Sequence, residues 1–281
     1  MPIGSLGKKA SLWCIIGTPG IWWIDLQIDG VRKGSLAQHQ ARLPRPGTVI
    51  ALNHTSPLDA LYIAAIFDPI FTASYPTTRL VERISLMQAI YRAFAQPLVE
   101  PPPGTKLVEL QTLIDKNHDR VVAVFPECTT TNGRAILPFS PSLLSIGKRT
   151  KVFPVSLRYT PADITTPIPG SYGTFLWNLC SKPTHCIRVR IAEAVLNTSL
   201  IGVDRATKSS SYKSNFFDTL HDTSSVDTLV GDDSEPSKEE KVFLDRVGEA
   251  LSRLGRVKRV GLGVKDKVEF VNAWTRSRKR R

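Results

Sequence analysis

The chain places the stretch Asn53-His54-Thr55-Ser56-Pro57-Leu58-Asp59 between two apolar segments. Residues 48–52 are largely apolar and predict a short buried strand, and the apolar residues 60–67 predict a buried helix. Ser56 and Pro57 mark the start of that helix, because a side-chain oxygen suits the N-cap and proline suits the first helical position. The stretch therefore predicts a strand that turns directly into a helix.

This turn can bring together a histidine and a carboxylate. His54 precedes the helix and Asp59 lies in its first turn, so the carboxylate can reach back to the imidazole. A carboxylate on one ring nitrogen fixes the tautomer and leaves the other nitrogen to accept a proton from a hydroxyl group. The same spacing also allows a reading without catalysis, since Ser56 and Asp59 can form a capping box.

Two later segments add to this pattern. Residues 124–134 read Val-Phe-Pro-Glu-Cys-Thr-Thr-Thr-Asn-Gly-Arg, with the glutamate about 70 residues after His54, and residues 152–157 form an apolar strand that contains a proline. In order and spacing, the three segments resemble signature blocks of the glycerolipid acyltransferase family. The resemblance covers about residues 45 to 160. Its Thr-Thr-Asn-Gly form is most similar to eukaryotic lysophospholipid acyltransferases, including fungal enzymes that act on lysophosphatidic acid.

The resemblance implies a fold and a reaction. The expected fold class is α/β, a mixed sheet flanked by helices, as in glycerolipid acyltransferases. The expected reaction transfers a fatty acyl group from acyl-CoA to a lysophospholipid, with lysophosphatidic acid as the first choice of acceptor. His54 would be the general base and Asp59 would orient its ring. Acyl-CoA and the lysophospholipid are substrates, and no cofactor, metal or nucleophilic serine or cysteine is predicted.

Five residues of the signature blocks are candidates for substrate binding. For Glu127 an equally good alternative is that its carboxylate holds the surrounding loop by accepting backbone hydrogen bonds. The five candidates are Asn53, Glu127, Thr129, Asn132 and Arg134.

The chain also departs from the family pattern. Cys128 stands where the family has a glycine, and Thr130 where it has an arginine, for which Arg134 is a possible replacement. Residues 93–100, which match the second family block, lack its glycine and its arginine. That arginine is expected to hold the phosphate of the acceptor. Three arginines are candidate replacements, although each is more typical of a solvated surface: Arg79, Arg83 and Arg92.

Composition limits the class of protein. At 281 residues the chain can bury a full core, and its four cysteines show neither metal-ligand spacing nor a small-domain disulfide pattern. The formal net charge is +12, and residues 253–281 hold eleven lysines or arginines and only two acids. Such a basic tail suits an anionic membrane surface. Nucleic acid is not expected as a partner, because no nucleic-acid motif or aromatic platform accompanies the charge.

The sequence predicts four regions. Residues 1–44 form an N-terminal membrane-associating segment, 45–196 the acyltransferase domain, 197–240 a polar insertion or linker, and 241–281 a basic helical C-terminal region. The uncharged run 10–24 predicts a monotopic or re-entrant anchor, because it is shorter than the roughly 20 residues of a spanning helix and contains glycine and proline. The alternative is a core helical hairpin packed on the domain.

Periodicity predicts the remaining elements. Strands are expected at residues 70–73, 121–125, 152–157 and 187–191, and helices at 84–95, 105–117, 239–254 and 264–278. The last helix has an apolar side, which suits either a membrane interface or docking on the domain. The expected location is the endoplasmic reticulum membrane or the lipid droplet, with the active site facing the cytosol.

Two further functions use the same residues. A phospholipid transacylase would move acyl chains without free CoA, and a non-catalytic lipid-binding protein would keep the fold alone. The missing arginine of the second block favours the non-catalytic function, whereas the intact His54 and Asp59 oppose it.

Overall fold

The computed structural model describes residues 3–31, 42–198 and 236–279. Its strands are β1 (Ile21–Ile28), β2 (Val49–Leu52), β3 (Ile70–Ser74), β4 (Val81–Ile84), β5 (Leu107–Val108), β6 (Val122–Val124), β7 (Ala135–Ile136), β8 (Lys151–Thr160), β9 (His185–Ile191), β10 (Val195–Leu196) and β11 (Lys258–Arg259). Its helices are α1 (Ile3–Gly17), α2 (Pro57–Phe67), α3 (Leu86–Arg92), α4 (Leu110–Asp115), α5 (Tyr172–Cys180), α6 (Lys238–Gly255) and α7 (Val264–Lys279). Two short 3₁₀ helices, Pro141–Ser145 and Ala162–Ile164, complete the described elements.

In the described part of the chain, nine strands form one mixed sheet in the order β1-β9-β8-β2-β6-β3-β4-β5, with β10 paired to β8. Strand β2 runs parallel to both of its neighbours, β6 and β8, and β3 runs parallel to β6. Strands β7 and β11 pair separately. The carboxyl ends of β2 and β6 therefore lie side by side, and the two signature segments follow those ends.

Strand β2 is buried on both faces, as expected of a central parallel strand. Ile50 and Leu52 point into a core shared with α1, α2 and α5, whereas Val49 and Ala51 point into a core shared with α4 and α6. Helices thus cover both faces of the sheet. The predicted mixed α/β architecture is confirmed.

The start of α2 follows the sequence prediction. Ser56 is the N-cap, Pro57 is the first helical residue, and Ser56 and Asp59 form a capping box. The helix ends at Asp68, whose backbone is left-handed with φ of 43°. These local signals place His54 in the turn between β2 and α2.

The N-terminal run differs from the alternative expected for it. Residues 10–24 are not a helical hairpin, because α1 ends at Gly17 and β1 begins at Ile21, and membrane association of this segment stays a prediction. Leu12 and Ile16 are buried, and β1 pairs in parallel with β9 along its length. Backbone hydrogen bonds to β9 make the strand favourable for a tryptophan-rich segment with high β-propensity. No helix of the described residues is long and apolar enough to cross a bilayer.

Two internal helices are shorter than predicted, and the one expected at 84–95 spans only Leu86–Arg92. Of residues 105–117, Leu107 and Val108 form β5 at the sheet edge, and only Leu110–Asp115 are helical. Pairing with β4 overrides the helical periodicity there. The helices predicted at 239–254 and 264–278 are confirmed as α6 and α7, whereas most of the predicted insertion 197–240 lies outside the described residues.

The turn before β1 allows a test of the strand. Gly20 has φ of +85°, and a Cβ there would lie 2.3 Å from the carbonyl oxygen of Pro183. Gly104 has nearly the same φ, +83°, but no neighbour within 4 Å. We expect Gly20→Ala to lower the free energy of unfolding by about 1–3 kcal/mol more than Gly104→Ala, because only the first substitution forces backbone to move. Thermal unfolding of the two variants measures this difference, and equal losses would argue against the seating of β1 beside β9.

Candidate active site

His54 lies directly after β2 in a buried position. Its ring packs against Phe125 with the ring centroids 4.4 Å apart, and its Nε2 has no hydrogen-bond partner among the described residues. Burial, and after it the charges of Lys267 and Arg92, lower the pKa of His54 to about 3. The imidazole is therefore neutral at physiological pH and able to accept a proton.

Asp59 does not orient the His54 ring as expected. Its fully buried carboxylate accepts hydrogen bonds from the backbone N–H groups of Thr55 and Ser56, at 2.7 and 2.8 Å, and from the Tyr159 hydroxyl at 2.5 Å. These donors at the helix start and on β8 occupy the carboxylate, and among the described contacts none joins it to the imidazole. The capping alternative is confirmed. Burial raises the pKa of Asp59 to about 6, although the bonds from Tyr159, Thr55 and Ser56 lower it.

The loop after β6 holds the peptide of His54. The carboxyl group of Glu127 accepts a hydrogen bond from the backbone N–H of Leu137 at 3.2 Å and lies near the backbone N–H of His54, while its Oε1 has no hydrogen-bond partner among the described residues. The N–H of Thr131 donates to the carbonyl oxygen of His54 at 2.8 Å. The loop-holding alternative for Glu127 agrees with these bonds. Burial raises the pKa of Glu127 to about 8.

The other predicted binding residues fall into two groups. Asn53 is buried and pairs its side-chain amide with the backbone of Leu157, donating at 2.9 Å and accepting at 2.7 Å, so it joins the end of β2 to β8. Thr129 is buried in the loop beside Glu127. Asn132 and Arg134 are exposed, and the Asn132 side chain accepts from the Arg134 backbone N–H at 3.1 Å. The structure gathers the first group around His54 and leaves Asn132 and Arg134 on the surface.

Cys128 has a left-handed backbone with φ of 57°. Glycine adopts this conformation at little cost, which accounts for the family preference at this position. Burial raises the pKa of the Cys128 thiol to about 12. The thiol is therefore protonated and a poor nucleophile.

A pocket opens beside His54. It encloses about 520 Å³ of empty space, part of it continuous with solvent, and its lining includes Phe125, Cys128 and Arg92. The remaining walls are mostly apolar or uncharged: Thr72, Ala73, Ser74, Tyr75, Ile84, Ala89, Ala95, Gln96 and Leu98. This combination suits a ligand that has an apolar part and an anionic group.

Arg92 is the arginine that reaches this pocket, contrary to its assignment as a solvated side chain. Its Nη2 donates to the Tyr75 hydroxyl at 2.7 Å and to Glu82 at 2.5 Å. Arg79 instead pairs with Glu240 of α6 at 2.7 Å, and Arg83 is exposed. The position of Arg92, on the helix that precedes the second family block, is a signal that could have singled it out.

Two further residues of the site are missed by sequence reasoning. Tyr159 contacts Asp59 across 100 positions of chain, and Lys267 reaches Thr129 across 138. Only the fold brings such residues together. Within residues 3–31, 42–198 and 236–279, no group of three or more histidines, cysteines or acids could hold a metal ion.

Comparison with known proteins identifies related sequences. The sequence profile of the acyltransferase family matches residues 36–159, the range that holds His54, Arg92 and the loop after β6. A protein of Schizosaccharomyces pombe, provisionally named a lysophosphatidic acid:oleoyl-CoA acyltransferase, is 26% identical over 88% of this chain and 69% of its own length.

Two other relatives match over shorter ranges. A lysophosphatidic acid:oleoyl-CoA acyltransferase of Saccharomyces cerevisiae is 28% identical over 52% of this chain and 46% of its own. A lysophospholipid acyltransferase of Arabidopsis thaliana is 29% identical over 57% of this chain and 41% of its own. The chain thus spans less than half of the length of these two relatives. The profile match and these relatives show an acyltransferase domain at residues 36–159 and support an acyltransferase enzyme.

Proposed function

We propose that the protein transfers a fatty acyl group from acyl-CoA to the free hydroxyl of a lysophospholipid, with lysophosphatidic acid as the preferred acceptor. The observation that carries this proposal is the neutral, buried imidazole of His54 in the wall of a pocket that also holds the Arg92 guanidinium. The names of the two yeast relatives support the same acceptor.

In the proposed mechanism His54 is the general base. It takes the proton of the acceptor hydroxyl while the oxygen attacks the thioester carbonyl of acyl-CoA. The carbon–sulfur bond then breaks, and the CoA thiolate recovers a proton from the imidazolium. Transfer is direct, because the protonated Cys128 thiol provides no nucleophile for an acyl-enzyme. Of the two buried acids, Asp59 is proposed to supply negative charge near the imidazolium, because a pKa of about 8 leaves Glu127 largely protonated at physiological pH.

Arg92 is proposed to bind the phosphate of the acceptor. A guanidinium suits phosphate, and Arg92 borders the same pocket as His54. Its positive charge also lowers the pKa of His54. A phosphate bound to Arg92 would neutralise part of that charge and make the imidazole a stronger base. Acceptor binding and base activation would then be coupled.

We also propose that a tryptophan-rich surface contacts the membrane. Trp22 and Trp23 are 70% and 69% exposed, because a β-bulge in β1 leaves both adjacent side chains outside the core. On α5, Trp177 is 75% exposed. The Gly20 turn before β1 lies against Pro183, three residues after the end of α5. Tryptophan side chains favour the lipid–water interface. A location at the endoplasmic reticulum or the lipid droplet stays a prediction.

The first prediction concerns His54. Purified protein, labelled oleoyl-CoA and a panel of lysophospholipids should give a diacyl product. We expect His54→Ala to reduce turnover by roughly 10²–10⁴-fold, because general-base catalysis typically contributes that factor. The exposed His118→Ala is the matched control and should retain wild-type turnover.

Thermal unfolding must show that His54→Ala is folded. Wild-type turnover by the folded variant would contradict the mechanism. Product that forms without added acyl-CoA would instead indicate transfer between phospholipids.

The second prediction concerns Arg92. We expect Arg92→Met to raise the KM for lysophosphatidic acid by roughly 10–100-fold, since a charge-assisted hydrogen bond contributes about 1.5–3 kcal/mol. The KM for a monoacylglycerol, which lacks the phosphate, should change much less. The ratio of these two KM values does not depend on the fraction of the protein that is folded. Arg83→Met on β4, an exposed arginine, is the control, and an unchanged ratio in Arg92→Met would exclude the phosphate contact.

The third prediction concerns the membrane surface. The double variant Trp22→Ser/Trp23→Ser should bind phospholipid vesicles at least about tenfold more weakly than the wild type, because each apolar side chain buried in lipid contributes about 1.5 kcal/mol or more. Trp274→Ser on α7 should bind as the wild type does. Vesicle flotation compares the variants, and loss of binding by Trp274→Ser alone would place the membrane contact on the C-terminal helix.

A further inference from the structure

Lys267 lies on α7, outside the range that the family profile matches, yet it reaches the signature loop. Its ammonium donates to the Thr129 hydroxyl at 2.7 Å, to the Thr130 hydroxyl at 3.2 Å and to the Thr130 carbonyl oxygen. An ammonium has three N–H donors, and these three acceptors can use all of them. Lys267 therefore has little capacity left to bind a substrate.

The loop that Lys267 contacts is the loop that holds His54. The backbone N–H of Thr131 donates to the carbonyl oxygen of His54, the carboxyl group of Glu127 lies near the His54 N–H, and Thr129 and Thr130 lie between these two residues in sequence. The Thr130 hydroxyl also donates to the carbonyl oxygen of Thr166 at 2.7 Å. A displacement of this segment would consequently move the imidazole.

Helix α7 is seated so that Lys267 points inward. Val264 and Val271, which share a helical face with Lys267, are buried, whereas Phe270 and Trp274 are half exposed. The spacing of three and four residues is that of one helix face packed on the domain. Burial lowers the pKa of Lys267 to about 8, while the nearby Glu127 raises it.

Lys267 brings a positive charge to a position at which the signature segment 124–134 lacks one. Thr130 occupies the position that carries an arginine in the family pattern, and Lys267 brings an ammonium to that residue. Arg134, the other candidate replacement, is exposed. Arginine and Lys267 share a positive charge and several N–H donors, so they can make comparable contacts with the loop.

We infer that Lys267 is a positioning residue for acyl transfer: its ammonium fixes Thr129 and Thr130 and, through their loop, the catalytic histidine. The inference rests on the proposed role of His54. It assigns to the C-terminal helix α7 a part of the site that residues 53–59 and 124–134 do not contain.

The test compares turnover and KM in Lys267→Met, Lys267→Arg and the matched control Lys265→Met. Lys265 is an exposed lysine on the same helix. We expect Lys267→Met to lose roughly 10–100-fold in kcat, since small displacements of catalytic groups cost factors of this size. The KM for oleoyl-CoA should stay within about twofold. Lys267→Arg should recover part of the loss, and Lys265→Met should match the wild type.

A double-mutant cycle separates positioning from general destabilisation. Thr129→Val removes one acceptor of Lys267, so the double variant should lose much less than the product of the two single losses. All assays run well below the thermal midpoint of every variant, and Lys267→Gln replaces Lys267→Met should the latter not fold.

Three results would overturn the inference. They are a wild-type kcat in the folded Lys267 variant, a loss confined to KM, and fully multiplicative losses in the cycle. Wild-type transfer that is independent of His54 would overturn the proposed function as well. Transfer that depends on His54 but not on Lys267 would overturn this inference alone.

Discussion

The site depends on the contacts that the loop after β6 makes with the backbone of His54. The N–H of Thr131 donates to the His54 carbonyl oxygen, and the carboxyl group of Glu127 lies near the His54 N–H, at the adjoining ends of two parallel strands. A buried carboxylate is costly unless it has donors; the Leu137 N–H meets part of that need, and burial raises the pKa of Glu127 to about 8. Residues 124–134 therefore have two roles: they support residues 53–59, and they belong to the proposed substrate site.

Sequence reasoning succeeds where the deciding contacts are local. Ser56, Pro57 and Asp59 interact within three positions, so the start of α2 could be read directly. The same logic fails for the carboxylate of Asp59, because its third partner, Tyr159, comes from a strand 100 positions away. Likewise, β1 forms only because β9 offers it a pairing edge far along the chain. Distant partners decide each of these cases, and periodicity carries no information about them.

The charges around the pocket form a balanced set. Burial, and after it the charges of Lys267 and Arg92, lowers the pKa of His54, and burial raises the pKa of Asp59 and Glu127. These conditions keep the imidazole neutral, and an anionic acceptor would shift the balance toward its protonated form. The proposed proton transfer needs that shift, because the imidazolium must be stable enough to form as the hydroxyl loses its proton. A phosphate on the acceptor would then contribute to the chemistry as well as to binding.

The cation that contacts the loop after β6 is Lys267 of α7, so the site includes a residue of the C-terminal region. An arginine at position 130 would be part of the loop itself. The loop could then form its contacts with a cation without another segment of the chain. With Thr130 in that position, the cation comes from α7 and is present only when Val264 and Val271 are packed on the domain. If Lys267 positions the loop as proposed, packing of the apolar face of α7 and placement of the proposed base occur together. The C-terminal region is then a component of the catalytic domain, and its basic surface lies on the helix that completes the site.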